Sequence, residues 1–430
     1  MTAFPDGFLW GAATAGHQVE GGNVNADMWP MEWATPSAFT EPSGDTCDHY
    51  HRYPEDIATL AELGLNAYRF SLEWSRIEPE PGYYSRAALD HYKRMLETCL
   101  EHGVTPVVTY NHFTVPRWMA GRGGWTADDA AERFAAYAAR ATSHLGDLLS
   151  WVCTLNEPNL MAMMASTGVL AMGASDRGGE GGDAGDARPQ DEQPDQVDTV
   201  DTVDTVAGSV GGFDPSRYRM GIVAADTERM VAAHRLAVQA IKAETGSVKA
   251  GWTLALVDFQ PADGGEERWR TARRVAQTDW LDVSADDDFV GVQTYSRTRI
   301  GPEGQLPPPD GAATMQTGWE VYPDALGHTV RLAAETAGVP VLVTENGMAT
   351  DDDTARQQYT RSALEGLAQA MADGVDVRGY LHWTLLDNFE WTAGYSKTFG
   401  LIGVDRETFA RSVKPSARWL GQVAQRNALD

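Results

Sequence analysis

Two glutamates stand in closely similar local settings. One lies in Thr154-Leu155-Asn156-Glu157-Pro158, the other in Thr344-Glu345-Asn346-Gly347. Each follows a short apolar run of the kind that forms a buried strand. A pair of carboxyl groups facing one site can cleave a glycosidic bond. One carboxylic acid protonates the leaving oxygen while the other attacks, or activates water, at the anomeric carbon. Other polar and aromatic side chains fall beside comparable runs: Gln18, Glu20, Arg69, Asn111-His112-Phe113, Tyr295, Trp383 and Glu390-Trp391. Carboxylates and amides suit sugar hydroxyls. Aromatic faces suit the C–H face of a sugar ring. Arg69 beside a carboxylate would help to keep that group ionised.

Positioning such a set requires many strands converging on one mouth. Candidate strands are Phe8–Ala12, Ala67–Ser71, Thr105–Tyr110, Trp151–Leu155, Ala250–Leu256, Phe289–Gln293, Val341–Thr344 and Gly379–Trp383. Met220–Ala224 competes with the fifth. Helical spacing of apolar residues marks Asp56–Leu63, Ala87–His102, Asp128–His144, Thr227–Glu244, Asp324–Thr336 and Thr354–Asp373. Gly64, Gly103, Gly246, Gly338 and Gly374 follow helices, where a left-handed cap fits. Alternating strands and helices predict a parallel sheet, and eight repeats predict a single (β/α)8 barrel over residues 1–430. In that fold chemistry sits where strands end. Glu157 then ends the fourth strand and Glu345 the seventh.

Residues 173–212 break the pattern. They carry ten acids against two arginines, with three Val-Asp-Thr units at 197–205. Such a stretch buries too little apolar surface to offset its ordering entropy, so a disordered acidic insertion is expected. A lid over the mouth is the functional alternative, since the stretch follows the fourth strand.

Composition excludes several classes. The 430 residues include 34 basic and 61 acidic side chains, a formal net charge of −27. Nucleic acid or an anionic membrane is therefore not an expected partner. Three cysteines, Cys47, Cys99 and Cys153, make no disulfide framework and no metal-binding spacing. The start, Met1-Thr-Ala-Phe-Pro-Asp, lacks a signal-peptide pattern, and no apolar run approaches the ~20 residues of a membrane span. A cytoplasmic location is expected. No metal or cofactor is implied, and the oligomeric state is not readable.

The chain resembles glycoside hydrolase family 1, the β-glucosidase family. The resemblance covers nearly all of it apart from the acidic stretch. It is carried by Phe8 to Thr14 with Gln18-Val19-Glu20-Gly21, by Tyr68-Arg69-Phe70-Ser71, and by the two glutamate motifs. A long run adds to these: Trp383-Thr384-Leu385-Leu386-Asp387-Asn388-Phe389-Glu390-Trp391, leading to Gly394-Tyr395. The resemblance implies a retaining exo-β-glycosidase acting on β-glucosides, with β-galactosides and β-fucosides as further substrates. Glu157 would be the acid/base and Glu345 the nucleophile. Asn156 would bind the 2-hydroxyl. Gln18, His112, Glu390 and Trp391 would bind the non-reducing sugar, with Trp383 as stacking floor and Trp319 on the leaving-group side. Arg69 and Tyr295 would orient Glu345 and hold its pKa low. Glu390 would repel a 6-phosphosugar.

The chain departs from the family's common pattern at several points. Gln293-Thr294-Tyr295 replaces Asn-Tyr-Tyr, Phe113 replaces a frequent tryptophan with Asn111 before the histidine, and Thr398 replaces an arginine. These changes surround the pocket. A transglycosylating or tailoring glycosidase with a hydrophobic aglycone is the alternative, and a non-catalytic sugar-binding module is the distant one.

Overall fold

The computed structural model describes residues 2–167 and 227–429. Eight parallel strands close into a barrel. They are β1 Leu9–Ala13, β2 Ala67–Ser71, β3 Thr105–Asn111, β4 Trp151–Asn156, β5 Lys249–Ala255, β6 Val290–Gln293, β7 Val341–Asn346 and β8 Val377–Trp383. Each pairs with the next, and β8 pairs with β1 to complete the circle. The predicted strands match these within one or two residues at either end. The fifth strand is the stretch beginning at Lys249, as expected; Met220–Ala224 lies outside the described residues, as does 173–212.

Eight helices follow the strands in turn. They are α1 His49–Glu62, α2 Arg86–Glu101, α3 Ala130–Leu145, α4 Thr227–Glu244, α5 Glu266–Arg273, α6 Ala325–Ala337, α7 Asp353–Ala372 and α8 Pro415–Arg426. Caps mark their starts. Ser85 Oγ accepts from the Ala88 N–H, and Asp352 Oδ1 from those of Thr354 and Ala355. α1 begins well before the predicted Asp56, because Pro54 inside the helix conceals its opening turn from a sequence reading. α5 is not among the helices predicted from apolar spacing: it is short and runs into a π-helical turn at Arg274–Thr278, which breaks the 3.6-residue repeat. Of the five glycines expected to cap helices, all but Gly246 have positive φ.

Alternation along the strands layers the barrel interior. Leu9, Ala67, Val107, Trp151, Cys153, Phe289, Leu342 and Leu381 form a closed apolar plug towards the strand starts. Further along the same inward faces come Arg69, Thr109, Thr253 and Thr344, all fully buried. The outward faces pack on the helices as one continuous core. Thr2–Ala3 pairs antiparallel with Ala428–Leu429, tying the two ends of the described chain together. Beyond the ends of β5 and β6, Asp258–Pro261, Arg297–Gly301 and Gly304–Gln305 form a small sheet beside the mouth. Among the described residues no helix is long and apolar enough to cross a membrane.

Candidate active site

Both glutamates stand where their strands end, and both strands are irregular there. The β4–β5 register shifts between Cys153 and Asn156, and the β6–β7 register between Val343 and Glu345. Such bulges re-aim the side chains that follow them. Glu157 itself has a φ of +47°, an uncommon conformation for a residue with a side chain.

Three donors grip Glu345. Arg69 Nη1 donates to Oε1 at 2.6 Å and Gln293 Nε2 to the same oxygen at 2.6 Å. Tyr295 donates its hydroxyl to Oε2 at 2.5 Å. Arg69 also donates from Nη2 to Asn156 Oδ1 at 2.6 Å, and from Nε to Thr109 Oγ1 at 2.9 Å. One guanidinium thus braces the carboxylate of β7 against the amide of β4. The carboxyl of Glu157, by contrast, has no hydrogen bond or ion pair among the described residues.

The electrostatics follow from that asymmetry. Burial pushes the Glu157 carboxyl well above the usual range; Glu345 and Glu390 raise it further, and Arg69 opposes them. Burial also raises Glu345, while Arg69 and Tyr295 pull it down. The expectation that Glu345 is held low is therefore corrected: desolvation at the barrel centre outweighs its donors. The order between the two survives, because Glu345 accepts hydrogen bonds from Arg69 and Tyr295 whereas Glu157 accepts none among the described residues, so Glu345 gives up its proton first.

Nine of the expected site residues line one cavity of about 620 Å³: His112, Asn156, Glu157, Tyr295, Trp319, Glu345, Trp383, Glu390 and Trp391. The rings of His17, Trp391, His112 and Trp383 lie nearly parallel in a row, with interplanar angles of 3°, 13° and 15°. His112 is buried and its pKa falls well below the usual histidine value, from desolvation first and Arg69 second. It is a neutral imidazole, able to donate one hydrogen bond to a hydroxyl. Trp319 is 44% exposed and tilts against Tyr295 at the rim.

Arg69 and Gln18 stand behind the cavity wall. Gln18 is fully buried and donates to the Phe389 carbonyl at 2.8 Å and to Glu390 Oε2 at 3.4 Å. Its Oε1 has no partner among the described residues. Burial, then Glu345, raises Glu390 to about 8, so near neutral pH this carboxyl holds its proton. The repulsion of a phosphate expected from sequence is correspondingly weak. Glu20 lies away from the cavity, in an ion pair with Arg76 at 2.7 Å.

Some contacts escaped the sequence reading. Gln293 stood out only as a departure from a pattern, and its contacts with both β4 and β7 depend on barrel closure. Leu160, Met163, Met164, Phe259 and Leu306 form an apolar wall on the cavity. They come from the helix Leu160–Thr167, from the strand Asp258–Pro261 and, for Leu306, from a loop, where apolar residues read as ordinary core.

A closed (β/α)8 barrel with two carboxyls at one mouth, one gripped and one free, has the equipment of a glycosidase. A model of glycosyl hydrolase family 1 matches residues 1–179 and 292–429. The thermostable beta-glucosidase B of Thermobispora bispora is 32% identical, covering 99% of this chain and 92% of its own. The bifunctional beta-D-glucosidase/beta-D-fucosidase of Bifidobacterium breve is 31% identical over 97% of each. Among solved structures, beta-glycosidase BGL167 superposes with a TM-score of 0.87 at 50% identity, covering 99% of this chain and 98% of its own. The beta-glucosidase of Thermotoga maritima in complex with noeuromycin gives 0.81 at 28% identity over 100% of both. The chain belongs to glycosyl hydrolase family 1 and is a glycosidase.

Proposed function

We propose that the protein is a retaining exo-β-glycosidase that removes terminal β-D-glucosyl residues, with Glu345 as nucleophile and Glu157 as acid/base. The asymmetry of the two carboxyls carries this reading. Among the described residues Glu345 Oε1 is occupied by two donors and Oε2 only by Tyr295, which makes Oε2 the atom to attack the anomeric carbon. Glu157, protonated beside an ionised Glu345, delivers its proton to the glycosidic oxygen. Once Glu345 is esterified its charge is gone. The Glu157 pKa then drops, and the same carboxylate takes a proton from the incoming water.

Glu390, with Gln18 behind it, His112 and Trp391 would bind the hydroxyls of the non-reducing sugar, and Asn156 the 2-hydroxyl. Trp383 would lie under the ring and Trp319 beside the leaving group. Activity on β-D-fucosides is expected beside glucosides, in line with the name of the Bifidobacterium breve relative; β-D-galactosides are the next candidates. The apolar wall of Met163, Met164, Phe259 and Leu306 favours a second reading of the leaving group, a hydrophobic aglycone. A higher kcat/KM on octyl β-D-glucoside than on cellobiose, and transfer to an added alcohol, would support it. A reducing, cytoplasmic location is in keeping with Cys47, Cys99 and Cys153, all buried and free.

The test uses p-nitrophenyl β-D-glucoside and NMR of the first-formed anomer. Retention is expected. Glu345→Gly should lose activity by about 10³-fold or more, and azide should restore turnover with a glycosyl azide product. Net inversion, or unchanged turnover in that variant, sinks the assignment.

A further inference from the structure

Among the described residues the amide of Gln293 is tied down at one end only. Its Nε2 lies 2.6 Å from Glu345 Oε1 and 2.8 Å from Asn156 Oδ1. Both partners are acceptors. Asn156 Oδ1 is identified as oxygen by its other neighbour, since Arg69 Nη2 donates to it at 2.6 Å. Flipping the Gln293 amide would set its oxygen against two oxygens, so the orientation is fixed by chemistry. The other end follows from this. Gln293 Oε1 is buried and has no hydrogen-bond partner among the described residues, while Gln293 is 1% exposed and lines the cavity. A buried acceptor left open next to a substrate cavity is a place for a donor from the substrate.

The neighbours decide which donor. Gln293 touches the proposed nucleophile and Asn156 at once. When Glu345 is bonded to the anomeric carbon, the sugar hydroxyl one carbon away is the 2-hydroxyl. We infer that Gln293 binds substrate as well as bracing Glu345, its Oε1 accepting a hydrogen bond from the sugar 2-hydroxyl while its Nε2 holds the carboxylate. This rests on the proposed function above. A 2-hydroxyl that donates to a neutral amide places more electron density beside the positive charge developing at the anomeric carbon. Such a bond therefore strengthens in the transition state. The side chain at the end of β6 thereby becomes a determinant of specificity at carbon 2.

The experiment compares 2,4-dinitrophenyl β-D-glucoside with its 2-deoxy analogue, on wild type, Gln293→Leu and Gln293→Asn. Wild type should favour the hydroxylated sugar after correction for the intrinsic reactivities of the two substrates. Gln293→Leu should lower kcat/KM on the glucoside about 10- to 100-fold more than on the 2-deoxy substrate. Gln293→Asn keeps the amide but shortens the reach, and should shift the ratio in the same direction; it also serves if the leucine variant does not fold. A residue that only braces Glu345 lowers both substrates equally, and equal losses overturn the inference. So does an unchanged ratio in both variants. Failure of folded wild type to turn over either substrate condemns the proposed function itself, and this inference with it.

Discussion

Charge at the pocket is governed by single residues and their donors. Arg69 is fully buried, yet it is matched by Glu345, Asn156 and Thr109 on three different strands. Glu390 has a weaker companion in Gln18 and is raised to about 8. That shift has a sign for stability. Between the ordinary carboxylate value and about 8, the unfolded chain has released this proton and the folded chain still holds it. Stability therefore falls as pH rises through that window. Glu390→Gln removes the titration. Its Tm should exceed that of wild type at pH above about 8, and the advantage should shrink towards pH 5. Thermal melts across that range check it; a constant difference would contradict the displaced carboxyl.

Secondary-structure elements set the precision with which those residues meet. The strands were legible because inward alternation and flanking turn signals bounded them closely. Arg69 was legible as a charged residue inside a predicted strand, and Tyr295 as a polar residue just past a strand end. Helices hidden by Pro54 in α1 or by the π-turn after α5 were not, since both features disrupt the repeat that a sequence reading depends on. Gln293 was visible as a residue but not as a contact, because its partners lie on strands distant in sequence. The apolar cavity wall was invisible for another reason: tertiary packing, not pattern, brings Met163 on its helix and Leu306 on its loop to one surface.

Packing between β7 and β8 offers a test at this scale. Gly347 follows the nucleophile strand, and a Cβ added there would lie 2.0 Å from the Trp383 carbonyl oxygen. Backbone, not a flexible side chain, is in the way. Gly347→Ala should cost about 1–3 kcal/mol or more, seen as a lower Tm. It should also lower kcat, because Glu345 and Trp383 are the residues pushed apart. A variant as stable and active as wild type would show that this contact is loose.

For the molecule as a whole, barrel closure divides the catalytic equipment in a way the linear order conceals. β1 to β4 precede residue 167 and β5 to β8 follow residue 227, so each half carries one of the two glutamates. Breaking the chain between those points would leave two open four-stranded sheets, each with unpaired edges and half of the apolar plug exposed. Isolated sheets of that kind associate with whatever edge is available. Expressed alone, each fragment should be inactive and prone to precipitate. Produced together, each supplies the edge the other lacks, and a measurable fraction of the intact enzyme's activity should return. Because Arg69 comes from the first fragment and Glu345 from the second, the nucleophile's own counter-ion would then form across the seam. Reassembly could be followed by turnover alone, making the barrel a reporter of whether two separately made chains have met.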